Sequence, residues 1–127
     1  MSQQAGVLDI TFKAGADLRT YQYRFVYLSA SQTVGLCTTA TGVILGVLQN
    51  EPNENEAAVV RVLGTSKVVC TTPAGVTFNN RVTSDSAGRA TATTTNAHTV
   101  AGIMLEGPST LENDIQEMLI AIHMVTT

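Results

Sequence analysis

From residue 33 onward the chain is a succession of short apolar or alternating runs, each cut off by turn formers. The runs cover 33–39, 43–49, 58–63, 66–71, 81–83, 90–95, 100–105 and 117–125. Between them stand Gly42, Pro52 with Asn53, Gly64, Pro73 with Gly75, Asn79 with Asn80, the stretch 85–88, and Gly107 with Pro108. A chain punctuated this often has no room for a long amphipathic helix. It folds instead by stacking short strands, as an all-β barrel or sandwich. Abundant Thr and Val agree, because β-branched side chains pack well on a pleated surface and lose rotamer freedom in a helix. At 127 residues the expectation is one domain, a small β-barrel or β-sandwich over 17–127, preceded by an extended N-terminal arm over 1–16.

The arm opens polar and then presents Val7, Leu8, Ile10 and Phe12 before the small-residue break at Ala14, Gly15 and Ala16. Its apolar anchors suit either an edge strand over 7–13 or a segment that orders on a partner. The first residues carry no basic and apolar leader pattern, so no export signal is expected. The longest apolar runs, VILGVL and MLIAIHMV, fall far short of the ~20 residues a membrane-spanning helix needs. No membrane partner is expected.

The stretch TYQYRFVYLSA places Tyr21, Tyr23, Phe25 and Tyr27 at alternate positions, four of the six aromatic residues in the chain. Period two predicts a strand with all four rings on one face. Such a face would pack against the core or a second subunit. Alternatively it would form a stacking platform for sugars or bases, with Arg19 and Arg24 nearby.

Charged residues make up 13% of the chain, against a usual ~25%. So sparse a surface fits membership of an assembly. The net charge of −3 gives no basic footprint, and no nucleic-acid partner is expected. Every Lys and Arg lies at or before Arg89, whereas Glu106, Glu112, Asp114 and Glu117 follow it. The acidic last third suits either a basic partner or plain solvated loops.

Residue chemistry argues for no reaction. Cys37, Cys70, His98 and His123 are dispersed singly, whereas zinc sites supply ligands in close pairs that preset half the tetrahedron. No metal or other cofactor is expected. The loop NEPNENE, Asn50 to Glu56, offers oxygen ligands but lacks the alternation, central Gly and terminal Glu of a calcium loop. It reads as a solvated hairpin whose charges discourage edge pairing. No nucleophile elbow, HExxH or phosphate loop is present, so the chain is not expected to be an enzyme and no catalytic residue is assigned.

Two further patterns bear on architecture. CTTATGV, from Cys37, returns as CTTPAGV from Cys70. The copies are followed by unlike sequences, so they read as a strand end and turn used twice, with the cysteines as small, reduced hydrophobes. Near the end, STLE at 109–112 resembles a helix capping box, whereas MLIAI at 118–122 reads as a buried closing strand. A turn or short helix over 109–114 and a strand from about 117 satisfy both.

The segment NNRVTSDSAGRATATTTNAHTVAGIML, 79–105, has a grammar of its own: a turn into RVTSD, then AGRAT, a Thr-rich link, and VAGIML. Together with ILGVLQN, VVRVLG and ADLRTYQYRFVYLSA it resembles the capsid cement or decoration proteins of tailed bacteriophages, over about residues 14 to 125. Where that family often carries Gly-Asp in the turn before RVTSD, this chain has Asn79 and Asn80, which also tolerate left-handed backbone. The resemblance implies a compact β-barrel or sandwich with a flexible arm, trimeric on the exterior of the virion head. There it would bridge capsomers and stabilise the shell without chemistry. It further implies that the arm, with Val7, Leu8, Ile10 and Phe12, meets the major capsid protein. The Tyr21, Tyr23, Phe25 and Tyr27 set would then serve core or subunit contact.

Overall fold

The computed structural model describes residues 7–71, 76–95, 97–108 and 111–124. All regular structure among them is β-strand, as the punctuation of the sequence demands. In chain order the strands are β1 Leu8–Ala14, β2 Phe25–Ala30, β3 Thr33–Leu36, β4 Gly46–Leu48, β5 Ala57–Leu63, β6 Thr65–Val69, β7 Arg81–Ser84, β8 Ala90–Ala92, β9 Thr99–Met104 and β10 Ile115–Met124.

The first five strands close a barrel in the order β1-β3-β2-β4-β5, and the last five form a second sheet in the order β6-β10-β9-β7-β8. Closure of the barrel falls to β1. It pairs antiparallel with β5 from Leu8↔Leu63 to Lys13↔Ala57, and parallel with β3 at Lys13↔Thr33 and Ala14↔Val34. Of the two expectations for this segment, an edge strand over 7–13 or a segment ordering on a partner, the structure has a strand over Leu8–Ala14, and it is barrel wall rather than an edge, paired on both sides. Residues 1–6 of the expected arm lie outside the described residues.

Alternation along the barrel strands sorts side chains into two cores. Phe12, Ala14, Val26, Val34, Leu48, Ala58 and Val60 fill the barrel together with Leu18 and Tyr21. Their neighbours Phe25 and Val47 point outward and join Val68, Cys70, Val82, Met104, Met118 and Ile120 in a second core beneath the other sheet. The two units thus share one barrel wall. Gly64, at φ 97°, bends β5 directly into β6. That left-handed conformation costs a glycine little and other residues more.

The repeated cysteine pattern marks strand ends, as expected: Cys37 follows β3 and Cys70 follows β6. Both thiols are free, buried and in the second core. Residues 72–75 of the second copy lie outside the described residues. RVTSD and AGRAT form the β7–β8 hairpin, with Val82↔Ala92 and Ser84↔Ala90 in register. Its turn is organised by Asp85, whose Oδ1 accepts the N–H groups of Ala87 and Arg89 at 2.8 Å each. Asn79, at φ 68°, takes the left-handed conformation its residue type tolerates. Residues 111–114 form a turn in which Asp114 donates its N–H to the Leu111 carbonyl. Ser109 and Thr110 of the capping-box reading lie outside the described residues.

Candidate interaction surface

The aromatic ladder is the clearest departure from expectation. Tyr23 adopts φ 66°, which an extended strand does not allow. Strand β2 therefore begins only at Phe25, and the four rings do not share one face. Phe25 is fully buried in the second core, Tyr21 packs against the barrel core, and Tyr27 is exposed. Arg24 lies 5.5 Å from the Tyr21 ring centroid and Lys67 lies 5.9 Å from that of Tyr23. The twist at Tyr23 is built in by the backbone: its N–H donates to the Leu48 carbonyl at 2.7 Å, and its carbonyl accepts from Val69. Burial lowers the Arg24 pKa from its ordinary value, with the nearby Arg89 charge acting in the same direction. Arg24 Nη1 nevertheless finds the Ala87 carbonyl at 3.0 Å.

Among the N-terminal residues, Phe12 packs against the barrel core, whereas Val7, Leu8 and Ile10 are exposed. Leu8 neighbours Leu63 across the β1–β5 ladder, and Leu63 is also exposed. Here the barrel end is left apolar and open. Alongside it Asp9 and Arg61 form an ion pair, with Nε–Oδ1 at 2.8 Å and Nη2–Oδ2 at 3.1 Å. Hydrogen bonding from Arg61 holds the Asp9 carboxyl below its ordinary value.

A second exposed apolar surface was not singled out by the sequence. On β10, Met118 and Ile120 point into the core, while Ile115 and Leu119 point out. Leu119 pairs with Ile103 of β9, which in turn pairs with Arg81 of β7. On its other side β10 meets β6, with Glu117 opposite Lys67 and Leu119 opposite Thr65. Exposed Leu105 follows β9, its N–H donated to the Glu117 carbonyl. A groove of about 380 Å³ indents this face, lined by Tyr23, Lys67, Glu106, Ile115, Gln116 and Glu117. The available signal was the near-continuous apolar run of β10, which is the pattern of a strand covered on both faces. In the single chain only one face is covered.

Each histidine has its own hydrogen-bond partner. His98 shares a 2.7 Å hydrogen bond with Thr93 Oγ1, and exposed His123 contacts the Ala121 carbonyl through Nδ1. In the loop 50–56, Asn50 caps the hairpin by accepting from Val59 and donating to the Ala57 carbonyl. Glu56 Oε1 accepts the Asn53 N–H at 2.7 Å. That carboxylate is thus part of the turn's own hydrogen bonding.

No protein-family model matches the chain, and no curated protein matches it. Among solved structures it is similar to the N-terminal base of the head fibre gp8.5 of bacteriophage phi29. The TM-score is 0.66 at 13% sequence identity, over 91% of this chain and 95% of that one. At this identity it is a likeness of fold.

Proposed function

We propose that this chain is a structural protein of a phage virion, bound to the outside of the head as an oligomer. In this role it bridges capsomers and stabilises the shell, and it performs no catalysis. The observation that carries the reading is the fold likeness, over nearly the full length of both chains, to a protein described as the base of a phage head fibre. It joins the resemblance of residues 14 to 125 to phage decoration proteins, which rests on separate grounds.

The energetics of such a role are those of added contacts. A protein that binds only the assembled shell stabilises it by mass action, and several linked copies add avidity. A monomer seldom exposes a large contiguous apolar patch without a partner for it. Val7, Leu8 and Ile10, with Leu63 beside them, are the apolar end of the barrel offered to the major capsid protein.

The test is to add the purified protein to undecorated heads. Co-sedimentation with the heads and a raised temperature of DNA release are expected, and both are reduced by Ile10→Lys. Heads that neither bind the protein nor gain heat resistance would overturn the reading.

A further inference from the structure

We infer that the outward face of the second sheet is where copies of this chain meet one another, and that Leu105, Ile115 and Leu119 form its centre. The inference rests on the reading of an oligomer for the expectation that copies associate. Its test needs no capsid.

Two observations converge on this face. Ile115 and Leu119 on β10 and Leu105 just after β9 are 53%, 40% and 48% exposed, although β10 and β9 are adjacent central strands. Central strands normally have both faces covered when both are apolar. Around this centre the charges balance: Lys67 and Arg81 against Glu106 and Glu117. A face with both signs at its rim is complementary to itself, because a neighbour's Glu117 can meet Lys67 and the reverse. A strongly basic or acidic partner would instead be repelled by half of the rim.

The occupant is therefore a second copy. The apolar centre suits contact between identical side chains, which like charges would oppose. The opposite charges on β6 and β10 then fix the orientation. Lys67 is the register element of this contact, since it sits both opposite Glu117 and over the Tyr23 ring.

The experiment is sedimentation equilibrium of the full chain over a concentration series, with circular dichroism and thermal melting to confirm folding. The wild type is expected at a multiple of the single-chain mass. Leu119→Lys is expected to weaken self-association at least about tenfold, as burying an unpaired charge at an interface centre does. Val43→Lys, at a loop residue 79% exposed and outside this face, is expected to leave association unchanged. Should Leu119→Lys fail to fold, the charge pair decides. Lys67→Glu alone should weaken association, and Lys67→Glu with Glu117→Lys should restore it. A wild type that stays monomeric overturns the inference, as does a folded Leu119→Lys that associates normally or a double reversal without rescue. Head binding is read separately: association without head binding would sink the decoration role and leave this face standing.

Discussion

Cys70 and Ala90 lie side by side in a parallel β-bridge, and that contact draws the two ends of the second sheet toward each other. Cys70 directly continues β6 and Ala90 opens β8, the first and last strands of the sheet. Thr71 extends the contact by donating its N–H to the Ala90 carbonyl at 3.0 Å. The sheet therefore curls around its core, and the Cys70 side chain is enclosed.

That enclosure sets the chemistry of the thiol. Burial, with Asp114 and Glu106 nearby, pushes the Cys70 pKa up to about 11 from 9.0. Native protein at neutral pH should therefore resist a thiol-reactive disulfide reagent, with two thiols appearing on unfolding in denaturant. The linkage has a definite sign. A raised folded-state pKa favours the native state below pH 9, and that contribution fades as pH rises toward 11. The midpoint of urea unfolding should fall over that interval, and less so in Cys70→Ala.

The Asp9–Arg61 pair should matter at neutral pH and not in acid. Asp9 has its pKa lowered from 3.8, so its contribution is present above that value and is lost as pH falls through the folded-state pKa. Both side chains are partly exposed, which limits the effect. Asp9→Asn should cost about 0.5–1 kcal/mol at pH 7. The two proteins should converge in stability as pH falls below 3.8 and through the lowered folded-state pKa, which denaturant titrations at several pH values would check.

The aromatic set should split by position. Phe25→Ala removes a fully buried ring from the second core and should cost about 3–5 kcal/mol. Tyr27→Ala, at a 39% exposed residue, should cost under about 1 kcal/mol. Equal losses in thermal or urea unfolding would contradict the division of these rings between core and surface.

Gly102 is confined by sterics. A Cβ there would overlap the Leu119 carbonyl oxygen and press on the Met118 side chain, 2.9 Å from its sulfur. Gly102→Ala should cost about 1–3 kcal/mol or more, since overpacking forces backbone apart. Because it pushes on β10, the substitution should also speed amide exchange along that strand.

Most of the strand set was legible because its cause is local. Turn formers at Asn53, Gly64, Asn79 and 85–88 end strands wherever they occur, and alternation around Val34, Val60 and Met118 announces an inward face. The aromatic ladder was misleading for the same reason. Tyr21 to Tyr27 has the right period, but long-range hydrogen bonds from Tyr23 to Leu48 and Val69 impose a twist that no local pattern reveals. In the N-terminal segment the strand was one of two readings, but the partners that hold Leu8–Ala14 on both sides, β3 and β5, lie further along the chain.

The sequence by itself determined that this chain would be all-β, where its strands would break, and that its cysteines would lie at strand ends. These follow from residue-level preferences that act over a few neighbours. Tertiary structure alone decided that the first five strands would close into a barrel, which rings would be buried, and which half of the apolar β10 would be left facing outward. Those outcomes depend on pairings between residues distant in sequence, and their free energy arises only when the two surfaces meet.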